Sequence, residues 1–279
     1  MNVIRDLAPT GPESNSVRLA ARARTSALQM VASANASHIG SSLSCIDILA
    51  VLYSGAAAVS PDNATNPLRD IVILSKGHAA AGLYATLAHA GFFEVGLLDT
   101  FCRDGGNLYG HVTSGIAGVE HSTGSLGHGL AFGSGIALAD LRDGSPRRVF
   151  VVLSDGECDE GSVWEAAMFA AHHGLAGLTA IIDRNGMQSF GSTESTCALE
   201  PFADKWRSFG WSVTDVDGHD HMQLRNACES RPSVPHVIIA RTVKGKGVTF
   251  MEGNTEWHYR APDRWQLDEA LRQIAAADA

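Results

Sequence analysis

The sequence predicts a three-layer α/β/α domain in which helices cover both faces of a mainly parallel sheet. Short runs rich in Val and Ile alternate with longer segments of helical periodicity, and such alternation is typical of βαβ units. The short runs lack a strict alternation of apolar and polar residues, as expected of strands buried on both faces. No repeat or Pro/Ser linker divides the 279 residues, so we predict one domain over residues 1–279.

Five short apolar segments fit such strands. In order they are Ile71–Leu74, Arg148–Leu153, Leu178–Asp183, Trp211–Val216 and His236–Arg241. Eight segments carry a helical pattern of apolar residues. They are Glu13–Ala34, Cys45–Ser54, Ala79–Ala90, Leu126–Arg142, Glu160–His173, Pro201–Phe209, Met222–Ser230 and Asp263–Ala277. Pro61–Pro67 and Phe101–Thr123 are predicted as loops, and the length of the second is typical of a functional loop.

Composition excludes several classes of protein. Hydrophobic residues make up 45% and charged residues 18% of the chain, which is ordinary for a globular protein. The net charge of −9, without a basic run, argues against nucleic-acid binding.

The five cysteines are odd in number and never spaced as CxxC, so reduced thiols are expected. The N-terminus lacks a signal-peptide core and no apolar run approaches the roughly 20 residues of a membrane span. We therefore predict a cytoplasmic protein without a membrane segment.

Polar residues follow the second and third predicted strands. Asp155 comes two residues after the end of one strand and Asn185 two residues after the end of the other, and neighbouring parallel strands place their carboxyl ends side by side. A carboxylate, an amide oxygen and a backbone carbonyl near Met187 would form an all-oxygen half-shell of the kind Mg²⁺ or Ca²⁺ takes. Gly156 and Gly186 would allow phosphates close to the backbone. Each polar residue alone is better explained as a cap or turn residue, but the pair favours a metal site.

Four of the twelve histidines lie in turns where the side chain can face a cleft: His38, His78, His111 and His258. A histidine in a loop after a strand, as His78 is, suits proton transfer or anion binding near neutral pH. Any one of them taken singly is better explained as a structural residue.

A glycine-rich turn, EHSTGSLGHGL at residues 120–130, precedes a helix of small residues. Backbone N–H groups at such a helix start can hold a phosphate. The order GxxGxG is neither the dinucleotide fingerprint nor a Walker loop. Taken alone, the glycines are equally consistent with close helix packing.

Together these segments resemble the transketolase family. Asp155-Gly156, followed thirty residues later by Asn185, is similar to the family's thiamine-diphosphate motif, with Ser154 in place of its first glycine. Further strings resemble transketolase segments: SHIGSSL (37–43), SKGHA (75–79), TGSLGHG (123–129), WEAA (164–167) and WH (257–258).

The resemblance implies the diphosphate-binding domain of the thiamine-diphosphate fold, with its cofactor and Mg²⁺, for which Ca²⁺ is an alternative. The implied metal ligands are Asp155, Asn185 and the Met187 carbonyl. The implied cofactor-binding residues are His78, Gly124, Ser125, Leu126, Gly156, Glu157, Asn185 and His258. The implied catalytic residues are His38, His78, His111, His258 and Glu160, the last of these resembling a glutamate at the family's dimer interface.

The resemblance covers about Val17 to Pro262 and only the first domain of a transketolase. The pyrimidine-binding domain, whose glutamate activates the cofactor in that family, is expected on a separate chain in an α₂β₂ assembly. The leading function is transfer of a two-carbon ketol unit from a ketose or ketose phosphate to an aldose. A deoxyxylulose-phosphate synthase-like enzyme, a 2-oxo acid decarboxylase and a non-catalytic scaffold remain alternatives.

Overall fold

The fold is organised around a five-stranded parallel sheet. The computed structural model describes residues 12–277, with the side chains of 12–14 excepted. The strands are β1 (Ile71–Leu74), β2 (Val149–Ser154), β3 (Leu178–Arg184), β4 (Ser212–Asp217) and β5 (His236–Arg241). Their order in the sheet is β1-β2-β3-β5-β4, and every pair is parallel. Strands β1, β2 and β3 are buried throughout, whereas β4 is partly exposed, as expected at an edge. All five predicted strands are present.

Helices lie against both faces of this sheet. They are α1 (Pro12–Ala34), α2 (Ile39–Val51), α3 (Ala80–His89), α4 (His128–Asp143), α5 (Gly161–His172), α6 (Thr193–Thr196), α7 (Phe202–Ser208), α8 (His221–Glu229) and α9 (Arg264–Ala277). One apolar cluster joins α1, α2, α3, α8 and α9 to one face of the sheet. A second cluster joins α4, α5 and α7 to the other face. The predicted three-layer α/β/α fold is therefore confirmed.

The start of α2 corrects the prediction. The helix begins at Ile39 and not at Cys45, and after Val51 it continues into a π-helical turn, Leu52–Ala56. A glycine and three serines make the first residues of α2 weak helix formers. Every residue of α2 is nevertheless buried, so packing overrides local preference.

The segment Ile39–Ala56 also bears on the expectation that the chain has no membrane span. In the described part of the chain it is the one helical stretch that is long and apolar enough to cross a bilayer, which the sequence pattern did not indicate. However, 89% of it is buried inside the fold. Its hydrophobicity is therefore accounted for by packing against α1 and α3.

The register of the strands brings the loops after them to one edge. Ser154 at the end of β2 pairs with Asp183 in β3, and Asp183 pairs in turn with Ala240 in β5. The loops that follow β1, β2, β3 and β5 therefore emerge together at the carboxyl edge of the sheet.

Candidate functional site

A polar cleft of about 250 Å³ opens at this carboxyl edge. It is lined by His38, Ser41, Lys76, His78, His111, Gly124, Leu126, Ser154, Gly156, Glu157, Asn185, Met187, Gln188, Ser189, Lys244 and His258. The structure thus brings together most residues that the sequence singled out, from loops far apart along the chain. Three predicted site residues do not line the cleft, namely Asp155, Ser125 and Glu160.

Asp155 lies at the base of the cleft and joins two of its loops. The side chain is fully buried. Its Oδ1 accepts a hydrogen bond from the Gly156 N–H (2.8 Å), and its Oδ2 accepts one from the Gly186 N–H (2.6 Å). The Arg184 guanidinium is 3.2 Å from Oδ2. Burial and then the negative charge of Asp183 raise the pKa of Asp155 to about 6, because the Arg184 charge and the two backbone N–H donors do not offset them.

Asn185 and Met187 lie beside Asp155, as predicted from the strand ends. The Asn185 Oδ1 accepts a hydrogen bond from the Met187 N–H at 3.1 Å, which forms a tight turn at the wall of the cleft. Among residues 12–277, no group of three or more His, Cys, Asp and Glu side chains could hold a metal ion. A metal here would therefore take one carboxylate and neutral oxygens from the chain. That donor set fits Mg²⁺, which completes its octahedron with phosphate oxygens and water.

A second buried carboxylate, Asp183, is paired inside the protein. The Lys76 ammonium contacts its Oδ2, and both side chains are fully buried. The Ser44 and Thr242 hydroxyls also donate to this carboxylate. Sequence analysis missed this ion pair because the two residues lie 107 positions apart.

The four predicted histidines converge at the mouth of the cleft. The ring of His38 lies 5.3 Å from His78, 5.6 Å from His111 and 4.9 Å from His258, measured between centroids. Burial, and then neighbouring positive charges, lower the pKa of His38 to about 4 and that of His258 to about 3. Burial also holds the pKa of His78 well below its ordinary value. At neutral pH these three rings are therefore uncharged and suited to hydrogen bonds with hydroxyl and carbonyl groups.

Lys244 is a further cleft residue that the sequence analysis missed. Its ammonium donates to the Gln188 carbonyl at 3.2 Å and lies 3.2 Å from the His258 Nδ1. Burial, and then the charge of Lys76, lower its pKa to about 8. A weaker signal for it was present, because Lys244 lies in the loop after β5, as Asp155 lies in the loop after β2.

The glycine-rich turn forms one wall of the cleft. Gly124 has a φ of +142°, and a Cβ there would lie 2.9 Å from the His111 ring, so the position requires glycine. The buried Glu157 carboxyl accepts from the Ser75 hydroxyl and from the Gly127 N–H at 2.9 Å. Glu157 therefore attaches this turn to the loop after β2. Both of its side-chain oxygens accept hydrogen bonds from within the chain.

Ser125 and Glu160 lie outside the cleft, on the surface. Ser125 is exposed, and its carbonyl contacts His128 Nδ1 at 3.2 Å. Glu160 is exposed at the N-terminal end of α5. The exposed position of Glu160 is compatible with its expected place at a subunit interface, and the cofactor contact of Ser125 stays a prediction.

The fold and cleft define a class of protein, namely an α/β domain with an oxygen-rich site and two lysines at the carboxyl edge of its sheet. Such a site suits an anion that carries a divalent cation.

Comparison with known proteins identifies the family. Residues 15–273 match the family described as "Transketolase, thiamine diphosphate binding domain". The chain therefore belongs to this transketolase family. It is 40% identical over 251 residues to one of the subunits of the apulose-4-phosphate transketolase of Phocaeicola vulgatus, covering 89% of both chains. It is 41% identical to a 6-deoxy-6-sulfo-D-fructose transketolase subunit of a Clostridium species, covering 90% of this chain and 91% of the other.

Longer transketolases match over less than half of their length. A transketolase structure from Campylobacter jejuni superposes with a TM-score of 0.87 at 28% identity, over 93% of this chain and 42% of that one. Human transketolase is 34% identical, over 91% of this chain and 41% of its own. The predicted family, the thiamine-diphosphate fold and the cofactor are confirmed, and the chain is part of a transketolase-type transferase. These relatives support transketolase over the alternative enzymes and the scaffold.

Proposed function

We propose that the chain, residues 1–279 as one domain, is the diphosphate-binding subunit of a two-component transketolase. The enzyme transfers a two-carbon ketol unit from a ketose or ketose phosphate to an aldose. One observation carries this proposal: relatives named as a separate subunit match over 89% and 91% of their length, whereas the longer transketolases match over 41% and 42%. A partner subunit that binds the pyrimidine ring supplies the remainder.

The base of the cleft holds the diphosphate through a metal ion in this proposal. Asp155, Asn185 and the Met187 carbonyl bind Mg²⁺, with Ca²⁺ as an alternative. The raised pKa of the buried Asp155 carboxyl supports this assignment, because a divalent cation would stabilise its ionised form. Lys244 adds a positive charge beside the same cleft. The proposed cofactor-binding residues are His78, Gly124, Ser125, Leu126, Gly156, Glu157, Asn185 and His258. When bound, thiamine diphosphate supplies the carbanion chemistry, and the chain binds and orients.

The histidines at the mouth of the cleft act on the sugar. They form a wall in which the His38 ring centroid lies 4.9–5.6 Å from those of the other three, and the His78 and His258 centroids are 5.8 Å apart. Three of these rings are uncharged at neutral pH, so they donate and accept hydrogen bonds without repelling each other. A polyhydroxylated substrate, a sugar or sugar phosphate, is the ligand such a wall fits.

The exposed surface of α4 and α5 supports the proposed α₂β₂ assembly. Phe132 on α4 is 40% exposed, and Met168 and Phe169 on α5 are 51% and 40% exposed. Because the two helices pack together, these side chains lie on adjoining elements, and Glu160 precedes the first residue of α5. A second diphosphate-binding chain covers this face in the proposed assembly. All five cysteines are free, which is consistent with a cytoplasmic location.

The test is reconstitution with the candidate partner chain. The two chains are co-expressed, thiamine diphosphate is titrated with MgCl₂ by calorimetry, and ketol transfer is assayed with a panel of sugars and sugar phosphates. Tight binding and turnover by the pair, with weak binding and no turnover by the single chain, are expected. The variant His258→Ala should keep the fold and, with the partner, turn over about 100-fold more slowly. Full activity of the single chain would overturn the split-enzyme proposal.

A further inference from the structure

A second polar network lies behind the cleft and is centred on Asp47 of α2. The side chain is 4% exposed and has three polar partners from distant parts of the chain. The Arg24 guanidinium is 2.5 Å from Oδ2, the His219 Nδ1 is 2.6 Å from the same oxygen, and the His221 Nε2 is 3.0 Å from Oδ1. A carboxylate with three polar partners, two of them histidines, holds those rings in fixed orientations.

The hydrogen bonds of His219 fix where its proton lies. The Val243 N–H donates to His219 Nε2 at 2.8 Å. A backbone N–H is only a donor, so Nε2 must carry a lone pair and the ring proton must be on Nδ1, where it donates to Asp47. The His219 ring therefore connects the Asp47 carboxylate to the backbone of the loop after β5 through two hydrogen bonds.

That loop carries Lys244 into the cleft. Its fold is tightly constrained, because Gly245 has a φ of +82° and its N–H donates to the Gly40 carbonyl at 3.0 Å. The Val243 N–H bonded to His219 is one residue before Lys244. A hydrogen-bonded path thus runs from Asp47 through His219 to the residue whose ammonium lies 3.2 Å from His258.

The turn that holds His219 is itself packed against the end of β5. The Gly218 N–H donates to the Arg241 carbonyl at 2.8 Å, and a Cβ at Gly218 would collide with the Thr242 side chain. The His219 N–H donates to the Asp217 carboxylate at 2.9 Å. The ring is therefore held from its own backbone as well as from Asp47.

We propose that Asp47 and His219 are positioning residues for the catalytic cleft, which hold the loop after β5 so that Lys244 faces the bound diphosphate. The role of Lys244 toward the diphosphate rests on the function proposed above, whereas the Asp47–His219–Val243 contacts do not. Neither positioning residue lines the cleft, and both act through the backbone of Val243.

His221 provides a matched control. It contacts the same carboxylate and is similarly buried, with side-chain exposures of 7% for His221 and 12% for His219. Its second ring nitrogen contacts the Ser16 hydroxyl at 2.8 Å, in α1, and not the cleft loop. Loss of His221 therefore removes a comparable contact to Asp47 without releasing Val243.

The first measurement needs neither cofactor nor partner. Amide hydrogen exchange of the segment 242–247 is followed by mass spectrometry in the full-length chain. In His219→Ala this segment should exchange at least about tenfold faster than in the wild type, because the Val243 N–H loses its acceptor. In His221→Ala the rate in this segment should stay at the wild-type value.

The second measurement uses the chain reconstituted with its partner. His219→Ala should raise the KM for thiamine diphosphate about tenfold, while kcat at saturating cofactor stays within about twofold. His219→Gln offers an amide oxygen to Val243 and should recover most of the affinity, whereas His219→Asn is too short to reach and should not. His221→Ala should leave KM unchanged.

The outcomes separate the two proposals. Equal exchange rates in His219→Ala and His221→Ala would overturn the positioning role, and so would equal KM values for the Gln and Asn variants. If no partner yields a ketol transferase, the proposed function fails, and the exchange data still decide whether His219 holds the loop. Should His219→Ala not fold, the Gln and Asn variants provide the same comparison.

Discussion

Asp155 and Asp183 lie at the carboxyl ends of neighbouring strands, and both side chains are completely buried, yet their charges are balanced differently. Asp183 contacts the buried ammonium of Lys76 and accepts from two hydroxyls. Burial raises its pKa, but the charge of Lys76 and these hydrogen bonds outweigh burial and hold the pKa below its ordinary value. Asp183 is therefore an ionised group whose partners are all supplied by the protein.

Asp155 has no such dedicated cation. Arg184 lies 3.2 Å from it, but the same guanidinium contacts Glu194 at 2.9 Å and Glu200 at 3.1 Å. The pKa of Asp155 is raised to about 6. The difference teaches that position at a strand end is not enough to identify a ligand-binding carboxylate. The carboxylate proposed to bind the metal is the one whose ionised form its protein partners stabilise less.

The largest effect is expected at Asp183. Asp183→Asn leaves the Lys76 ammonium buried without a counter-charge, which should lower the free energy of unfolding by about 3–5 kcal/mol. Urea denaturation of the metal-free chain measures this. As a control, Lys76→Met combined with Asp183→Leu removes both charges and should recover much of the loss. Wild-type stability of Asp183→Asn would show that the pair is not an ionised, interdependent one.

For Asp155 we expect a large loss of cofactor binding and only a small loss of stability. Asp155→Ala, or Asn185→Ala, should weaken Mg²⁺-dependent binding of thiamine diphosphate by about 100-fold in the reconstituted pair. Removal of an undercompensated buried charge should cost the metal-free chain far less stability than Asp183→Asn does. Calorimetric titration with and without EDTA measures the binding. Unchanged affinity would remove Asp155 and Asn185 from the metal site.

This pair of aspartates also shows what the sequence could predict. Asp155 and Asn185 were found because each directly follows a strand, and parallel neighbours align their ends. That is a local signal combined with one rule of topology. The difference between Asp155 and Asp183 was not predictable, because it depends on Lys76 and Arg184, whose positions are fixed by tertiary packing.

Other features of the molecule likewise divide into those that a sequence signal predicts and those that depend on tertiary packing. The clustering of His38 and His258 required contact between residues 220 positions apart, so only resemblance to a family suggested it. The five strands were predicted because buried strands have a distinctive apolar composition. The predicted start of α2 was wrong, because burial overrode the weak helical preference of its first residues. His219 gave no signal at all, since its role depends on a single hydrogen bond to Val243.

A smaller effect is expected where one neutral donor to Asp183 is removed. Thr242→Val keeps the shape of the side chain but removes the hydroxyl that donates to the carboxylate. A hydrogen bond to a charged group suggests a loss of about 2 kcal/mol in the free energy of unfolding. Thr214→Val, which removes a hydroxyl paired with the His236 ring, is a control for the substitution itself. If Thr242→Val cost no more than Thr214→Val, the carboxylate of Asp183 would not depend on this donor.

The smallest expected effect is a difference between Asp155 and Asp183 in how their contributions to the free energy of unfolding depend on pH. In the metal-free chain, the folded pKa of Asp155 is about 6 and its ordinary value is 3.8. Between these values the folded state holds a proton that the unfolded state has lost, so this group's contribution to stability falls as pH rises. The expected loss between pH 5 and pH 7 is about 1 kcal/mol. Asp183, with its lowered pKa, loses its stabilising contribution only below about pH 4, so it adds no slope in this range.

The measurement is the difference between the wild type and Asp155→Asn in urea denaturation at pH 5 and pH 7 with EDTA. The difference is needed because the buried histidines act in the opposite direction. Their lowered pKa values make the folded chain less stable as pH falls below about 6.5, and this contribution is common to both proteins. If the free energy of unfolding of the wild type falls by about 1 kcal/mol relative to that of Asp155→Asn between pH 5 and pH 7, an undercompensated Asp155 is supported. A difference in free energy of unfolding that is constant across this range would mean that Arg184 balances Asp155 as fully as Lys76 balances Asp183.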